Sequence, residues 1–299
     1  MSQLFVVGAY ASLPEEGRQD DYYQLLHQEK WIDGIEIPFP GVIKNNARDF
    51  ARVLSKDWSA NTITAIPGTM QNVWKDPKFG LASPDETGRE AALGFCDEIR
   101  NSVIELNTES GRSSISYIQL HSAPTKLANA TSFCKSLEQL LKQDWGGAKL
   151  VIEHCDKFVP SQKPEKGFLS IGQEINIARE LGVRIHINWG RSAVEGRSAD
   201  TAYDHIQECA KNGVLAGLIF SGAGPEPTQY GYSWIDGHLP TSAYEPSSLL
   251  TSNQIERCSQ AAESAEYIGA KICVPKTAPL LERVQMLRNI YDSTKGIEK

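Results

Sequence analysis

A chain of 299 residues is about twice the length of an average domain, yet a (β/α)₈ barrel regularly uses ~250 residues in one. Hydrophobic residues make up 40% and charged residues 22%, which excludes disorder for most of the chain. The formal charge of −7 excludes a nucleic-acid binder, whose backbone contacts need a basic face. In chain order, short β-branched runs predict strands over Leu4–Val7, Gly34–Ile37, Thr62–Ile66, Ser116–Leu120, Lys149–Glu153, Val183–Asn188, Leu215–Phe220 and Lys271–Val274. Helical stripes lie between and after them: Ile171, Ile175, Ala178 and Leu181; Tyr203, Ile206 and Ala210; Leu280, Val284, Leu287 and Tyr291. Strand–helix alternation repeated eight times means parallel strands joined by crossover helices, because parallel neighbours cannot be joined by a hairpin.

The connections separate a closed barrel from an open sheet. Helix-to-strand links are short and hold glycines at Gly146-Gly147, Gly182, Gly213 and Gly269, where a helix C-cap favours a left-handed residue. Strand-to-helix links are expected to be long: Pro67 to about Asp85, His154 to Ser170, Asn188 to Ala199, and Ser221 to Leu250. Long loops on one rim fit a barrel whose active face is built from βα loops. The expectation is a single TIM-barrel domain over residues 1–299. A doubly wound sheet is the alternative, but no Gly-x-Gly-x-x-Gly follows the first strand. No apolar run approaches the ~20 residues that span a bilayer, and Met1-Ser2-Gln3-Leu4 lacks the basic and apolar stretches of a signal peptide. The six cysteines form no C-x-x-C pair. Reduced thiols in a cytoplasmic protein are therefore expected.

Polar residues at strand tips converge on one volume in such a barrel. In order they are Tyr10, Glu36, His121, Glu153-His154, Asn188-Trp189, Ser221 and Lys276, to which the loops add Arg191, Arg197, Trp234, Asp236, His238 and Glu245. Glu153 closes an apolar run, a setting that suits either a metal ligand or a partly desolvated base for C–H abstraction. Glu36 lies among β-branched residues and requires a partner wherever it is buried. His186 alternates with Asn188 and is expected as a hydrogen-bonded core residue, whereas His27 and His205 are expected on helix surfaces. Ser221-Gly222-Ala223-Gly224 reads equally as an anion cradle or as a flexible turn. Trp74, Trp189 and Trp234, with Tyr230 and Tyr232, offer flat faces for sugar rings, or else a loop packing on itself.

With these residues in hand, the chain resembles the xylose-isomerase-like TIM barrels, the superfamily of sugar isomerases and epimerases. It is closest to an uncharacterised bacterial branch of them, a domain-of-unknown-function family. That likeness is carried by Pro67-Gly68-Thr69-Met70, Leu120-His121-Ser122-Ala123-Pro124, Val151-Ile152-Glu153-His154-Cys155-Asp156, Ile187-Asn188-Trp189-Gly190-Arg191-Ser192 and Phe220-Ser221-Gly222-Ala223. The resemblance implies a strand-two glutamate at Glu36, a strand-five metal ligand and acid/base at Glu153, and a substrate-contacting stretch at His238-Leu239-Pro240. It also implies a divalent Mn²⁺ or Mg²⁺, with Glu153 and His154 as candidate ligands.

The departures are Asn188 for the strand-six aspartate, Arg191 for a histidine, Ser221 for the strand-seven histidine, and Cys273-Val274-Pro275-Lys276 for the last glutamate. Either His121, His154, Asp236 or His238 rebuilds the metal site, or cations such as Arg191 and Lys276 replace the metal. The activity expected is isomerisation or epimerisation of a sugar or sugar acid by proton abstraction next to a carbonyl. Glu153 would be the base, with Glu36 or His238 as partner. His121, Asn188, Trp189, Arg191, Ser221, Trp234, Asp236 and Lys276 would line the substrate. The alternatives are a lyase or hydrolase acting on an oxidised glycoside, and a non-catalytic sugar-binding barrel that has lost its metal. The expected partner is a small sugar or sugar-acid ligand, with no nucleic acid and no membrane; a homo-oligomer is compatible with the sequence.

Overall fold

Eight parallel strands close into a barrel in the order β1 to β8, as the strand–helix alternation requires. The computed structural model describes residues 3–296; Met1 and Ser2 of the opening stretch, and the end of the expected 1–299 span, lie outside them. The elements run β1 (Leu4–Val7), α1 (Gln19–Gln28), β2 (Gly34–Pro38), α2 (Ala47–Val53), β3 (Thr62–Thr64), α3 (Ile66–Lys75), α4 (Glu86–Ser110), β4 (Tyr117–Leu120) and α5 (Ala130–Leu140). They continue with β5 (Lys149–His154), α6 (Ile171–Leu181), β6 (Arg184–Asn188), α7 (Trp189–Gly196), α8 (Ala199–Lys211), β7 (Leu215–Phe220), α9 (Ser252–Ala261), β8 (Tyr267–Ala270) and α10 (Leu280–Thr294). No helix among the described residues is long and apolar enough to cross a membrane. Cys96, Cys155, Cys209 and Cys258 are buried thiols.

Five expected features differ. β3 stops at Thr64 because Pro67 sits in the first turn of α3, where its missing N–H costs nothing and its fixed φ suits the helix. The first half of the expected loop from Pro67 is therefore helix, and the loop after Asn188 holds α7, capped by the Asn188 side chain accepting from the Arg191 N–H. The last strand is Tyr267–Ala270, ahead of the expected Lys271–Val274. Gly269 is accordingly no helix cap; it lies within β8, where the β1 backbone at Val6 leaves no room for a Cβ. Gly182 caps α6 as expected, in the left-handed conformation at φ 69°.

Internal contacts divide the chain into two compact units, Met1–Glu36 with Ile187–Lys299, and Ile37–His186. In the first, β1 pairs with both β2 and β8, and β8 with β7, with Val7 opposite Ala270 and Phe220 opposite Ala270. In the second, β4 lies between β3 and β5, with Thr64 opposite Gln119 and Gln119 opposite Val151. Their strands bury Ile63, Ile118, Ile152, Leu218 and Phe220 almost completely, the near-continuous apolar runs expected of strands covered on both faces.

Candidate active site

Within the unit Ile37–His186, the register fixes the neighbours of Glu153. Gln119 opposes Val151, and side chains alternate along a strand, so two residues further on His121 stands beside Glu153. Both are buried, and His121 Nε2 lies 2.6 Å from Glu153 Oε2. The Thr64 hydroxyl at the tip of β3 donates to the same oxygen over 2.8 Å. His186 and Glu153 also bring ligand atoms within 4.8 Å of each other. This carboxylate is positioned, desolvated and in contact with an imidazole, the arrangement from which a proton can be taken up and passed on.

His154 follows Glu153 directly and therefore faces the other way. Its Nδ1 lies 2.7 Å from Glu174 Oε2, while Ser122 Oγ donates to Glu174 Oε1 over 2.5 Å. All three residues are wholly buried, so this network ties β4 and β5 to α6. The Asp156 carboxylate accepts the backbone N–H groups of Glu165, Lys166 and Gly167, which holds the loop after β5 in shape.

A second cluster lies within the unit Met1–Glu36 with Ile187–Lys299. Lys271 follows β8 directly and is wholly buried, and its Nζ donates to Glu36 Oε1 over 2.7 Å. Its stem runs over the end of β1 at Gly8, where a Cβ would meet Lys271 Cβ and Cγ at 2.6 Å. Lys271 also hydrogen-bonds Tyr10 and sits 5.4 Å from the centre of its ring. Burial pushes the Tyr10 phenol far above its usual range, against the pull of Lys271, so Tyr10 is a neutral donor at ordinary pH. Arg191 Nε donates to Asp236 Oδ2 over 2.9 Å, with both side chains nearly inaccessible. His238 Nδ1 lies 2.8 Å from Ser221 Oγ and 3.5 Å from Asp236 Oδ1.

Asn188 spends its oxygen on the Arg191 N–H, and its buried Nδ2 finds no hydrogen-bond partner among the described residues. Trp234 stacks on the Arg197 guanidinium at 5.1 Å. Arg197, Trp234 and His238 all have φ between 51° and 61°, backbone strain of the kind that concentrates at binding loops.

The expected residues thus fall into distinct groups. His121 meets Glu153 in one unit; in the other, Arg191, Asp236, His238 and Ser221 form one chain of contacts, Asn188 caps it, and Glu36 binds Lys271. Lys276 is exposed on the loop after β8. Trp189 is fully buried at the start of α7. His205 is buried against Ser192, not on a helix surface. Lys271 and Tyr10 carry contacts the sequence does not assign, because the sequence expects a strand to start at Lys271 and the strand ends one residue before it.

A hard divalent ion takes several oxygen ligands. Residues with ligating chemistry stand together in each unit, Glu153 with His186 and Glu195 with His205, but each pair offers one carboxylate. Of the other acids, Glu36 is paired with an ammonium and Asp236, on the loop after β7, with a guanidinium. Groups with metal-ligating chemistry are thus present, while Glu36 and Asp236 are each already paired with a cation, and no step below passes through a metal.

The model of a family described as a domain of unknown function, DUF4862, matches residues 6–286. An uncharacterised protein of Salmonella typhimurium (strain LT2) is 29% identical over 299 residues, covering 95% of this chain and 94% of that one. Among solved structures, a putative xylose isomerase from Rhodospirillum rubrum superposes with a TM-score of 0.66 at 11% identity over 100% of both chains. A D-psicose 3-epimerase crystallised in the presence of D-fructose gives 0.61 at 11% identity over 99% of each chain. An L-ribulose 3-epimerase gives 0.55 at 13% identity over 99% of this chain and 94% of that one. The fold is that of the xylose-isomerase-like TIM barrels.

Proposed function

We propose, from the premise that this chain belongs to the DUF4862 family on a xylose-isomerase-like barrel, that the protein is a sugar isomerase or epimerase. It would remove a proton from the carbon next to a carbonyl of a sugar or sugar acid. The observation that carries this is the state of Glu153, which is fully buried and held by His121 and Thr64. A carboxylate away from water but fixed by specific donors is what C–H abstraction needs, since solvation would blunt its basicity and free rotation would cost orientation. Structural neighbours named for 3-epimerisation of ketoses support the reading, because inverting the carbon beside a ketone requires loss of that carbon's proton.

Incubation in ²H₂O with D-psicose, D-fructose, L-ribulose and the matching aldonic and uronic acids tests it. Deuterium should appear at the carbon beside the carbonyl, read by NMR and mass spectrometry. Glu153→Gln keeps the shape and removes the base, so exchange should fall by ~10²–10⁴-fold; Glu36→Gln shows whether the other acid shares the work. Unchanged exchange in Glu153→Gln removes that residue from the role. Ligand-induced thermal stabilisation without exchange would assign a sugar-binding barrel instead, and elimination products from keto-glycosides a lyase.

A further inference from the structure

We infer that Lys271, held by Glu36 and Tyr10, supplies as a fixed ammonium the positive charge that the family resemblance assigns to a divalent metal. Lys271 is wholly buried, and its Nζ donates to Glu36 over 2.7 Å and to Tyr10. Its stem lies against Gly8 beyond β1, so close that a Cβ there would stand 2.6 Å from two of its carbons. A charge set in advance stabilises an oxyanion without reorganising when the oxyanion forms, and in a desolvated place it acts more strongly than in water. Glu36 is at the same time taken out of the pool of metal ligands.

The role rests on the isomerase reading above. When a carboxylate takes the proton from the carbon beside the carbonyl, the C–H electron pair becomes the C=C bond. The C=O π pair moves onto oxygen, and the Lys271 ammonium hydrogen-bonds the enediolate so formed. Return of the proton to the neighbouring carbon, with the hydroxyl proton passing between the two oxygens, gives the isomer. Return to the same carbon from the other face gives the epimer. No electron is gained or lost overall. Tyr10, kept neutral by burial, donates beside the ammonium.

The test combines a chelator, two substitutions and manganese binding. Wild-type exchange in ²H₂O should survive dialysis against EDTA. Lys271→Ala should lose ~10²–10³-fold in kcat, as for the loss of one oxyanion donor, with partial recovery on adding ethylammonium but not ethanol. Lys271→Gln keeps a hydrogen bond to Glu36 without the charge and should lose as much, which covers the case in which the alanine variant does not fold. Loss of activity in EDTA with recovery in Mn²⁺ overturns the role, as does a folded Lys271→Gln with normal kcat. If no sugar exchanges with the wild type, the isomerase reading falls, and manganese binding still decides on Lys271. Release of Glu36 in Lys271→Ala or Lys271→Gln should raise Mn²⁺ affinity at least ~10-fold over wild type, read by EPR on Mn²⁺ alone. Equal affinity, or micromolar binding by the wild type, overturns it.

Discussion

Replacing Lys271 by methionine should destabilise the fold by ~3–5 kcal/mol, because it leaves the Glu36 carboxylate buried without its counter-charge. Both members of the pair are inaccessible and 2.7 Å apart, so solvent screening does not dilute the effect. Unfolding entropy of ~2.1 cal/mol/K per residue gives about 0.6 kcal/mol/K for a chain this long, and the loss corresponds to roughly 5–8 °C in Tm. Glu36→Leu should cost a similar amount for the mirror reason. The double replacement removes both charges, and its cost should shrink to the ~1–2 kcal/mol of a Tyr10 hydroxyl deprived of its partner. Thermal and urea unfolding of the four proteins form a double-mutant cycle with a coupling of several kcal/mol. A double variant whose loss equals the sum of the singles would refute the pairing, and with it the claim that Glu36 is committed to Lys271.

Gly8→Ala should push the Lys271 stem off its course, since the new Cβ would stand 2.6 Å from two of its carbons; overpacking of this kind costs ~1–3 kcal/mol, and an unchanged melting curve would mean the stem is free to move. Ser122→Ala removes the hydroxyl that donates to the buried Glu174 and accepts from the Leu169 N–H, a loss of ~1–3 kcal/mol that urea midpoints will show or exclude. At high pH, burial raises Tyr23 from 10.0 to about 12 and Cys258 from 9.0 to about 11. The folded chain keeps these protons after the unfolded chain has lost them, so their contribution is whole below pH ~9 and drains away as pH rises towards 12. Urea midpoints measured in reductant should fall across that window, and a flat profile would contradict the burial of both groups.

The barrel was legible because its signal is repeated. Eight apolar β-branched runs at regular spacing leave few topologies, and in the fold they differ mostly by one or two residues at each end. The errors have local causes. Pro67 looks like a loop residue until its place in the first turn of α3 is known. Tyr267-Ile268-Gly269-Ala270 looks like a turn before a strand, since small residues are weak strand formers, yet there they are what lets β8 lie close to Val6 on β1. Ile272 and Val274 carried the stronger propensity and drew the expected strand four residues too far along.

That slip explains why the site was only half readable. Glu153 and Glu36 sit on strands that the sequence places, but setting His121 beside Glu153 takes the observed β4–β5 register as well as alternation, and alternation turns His154, expected as a ligand with Glu153, away to Glu174. Which acid is bound by which cation depends on contacts far apart in sequence: Lys271 and Glu36 are 235 residues apart, and no spacing rule reports such a pair. With the strand misplaced, Lys276 took the place of the strand-eight cation, although it is exposed and Lys271 is not. One local sign was present. Val7-Gly8 ends the first strand with a residue that has no side chain, and a glycine at a strand exit marks close approach by another group. Together with the first polar residue after the last strand, that gap specifies a long side chain crossing from β8 over β1 to β2. Only lysine or arginine would reach an acid there, and at Lys271 the ammonium meets Glu36 over 2.7 Å.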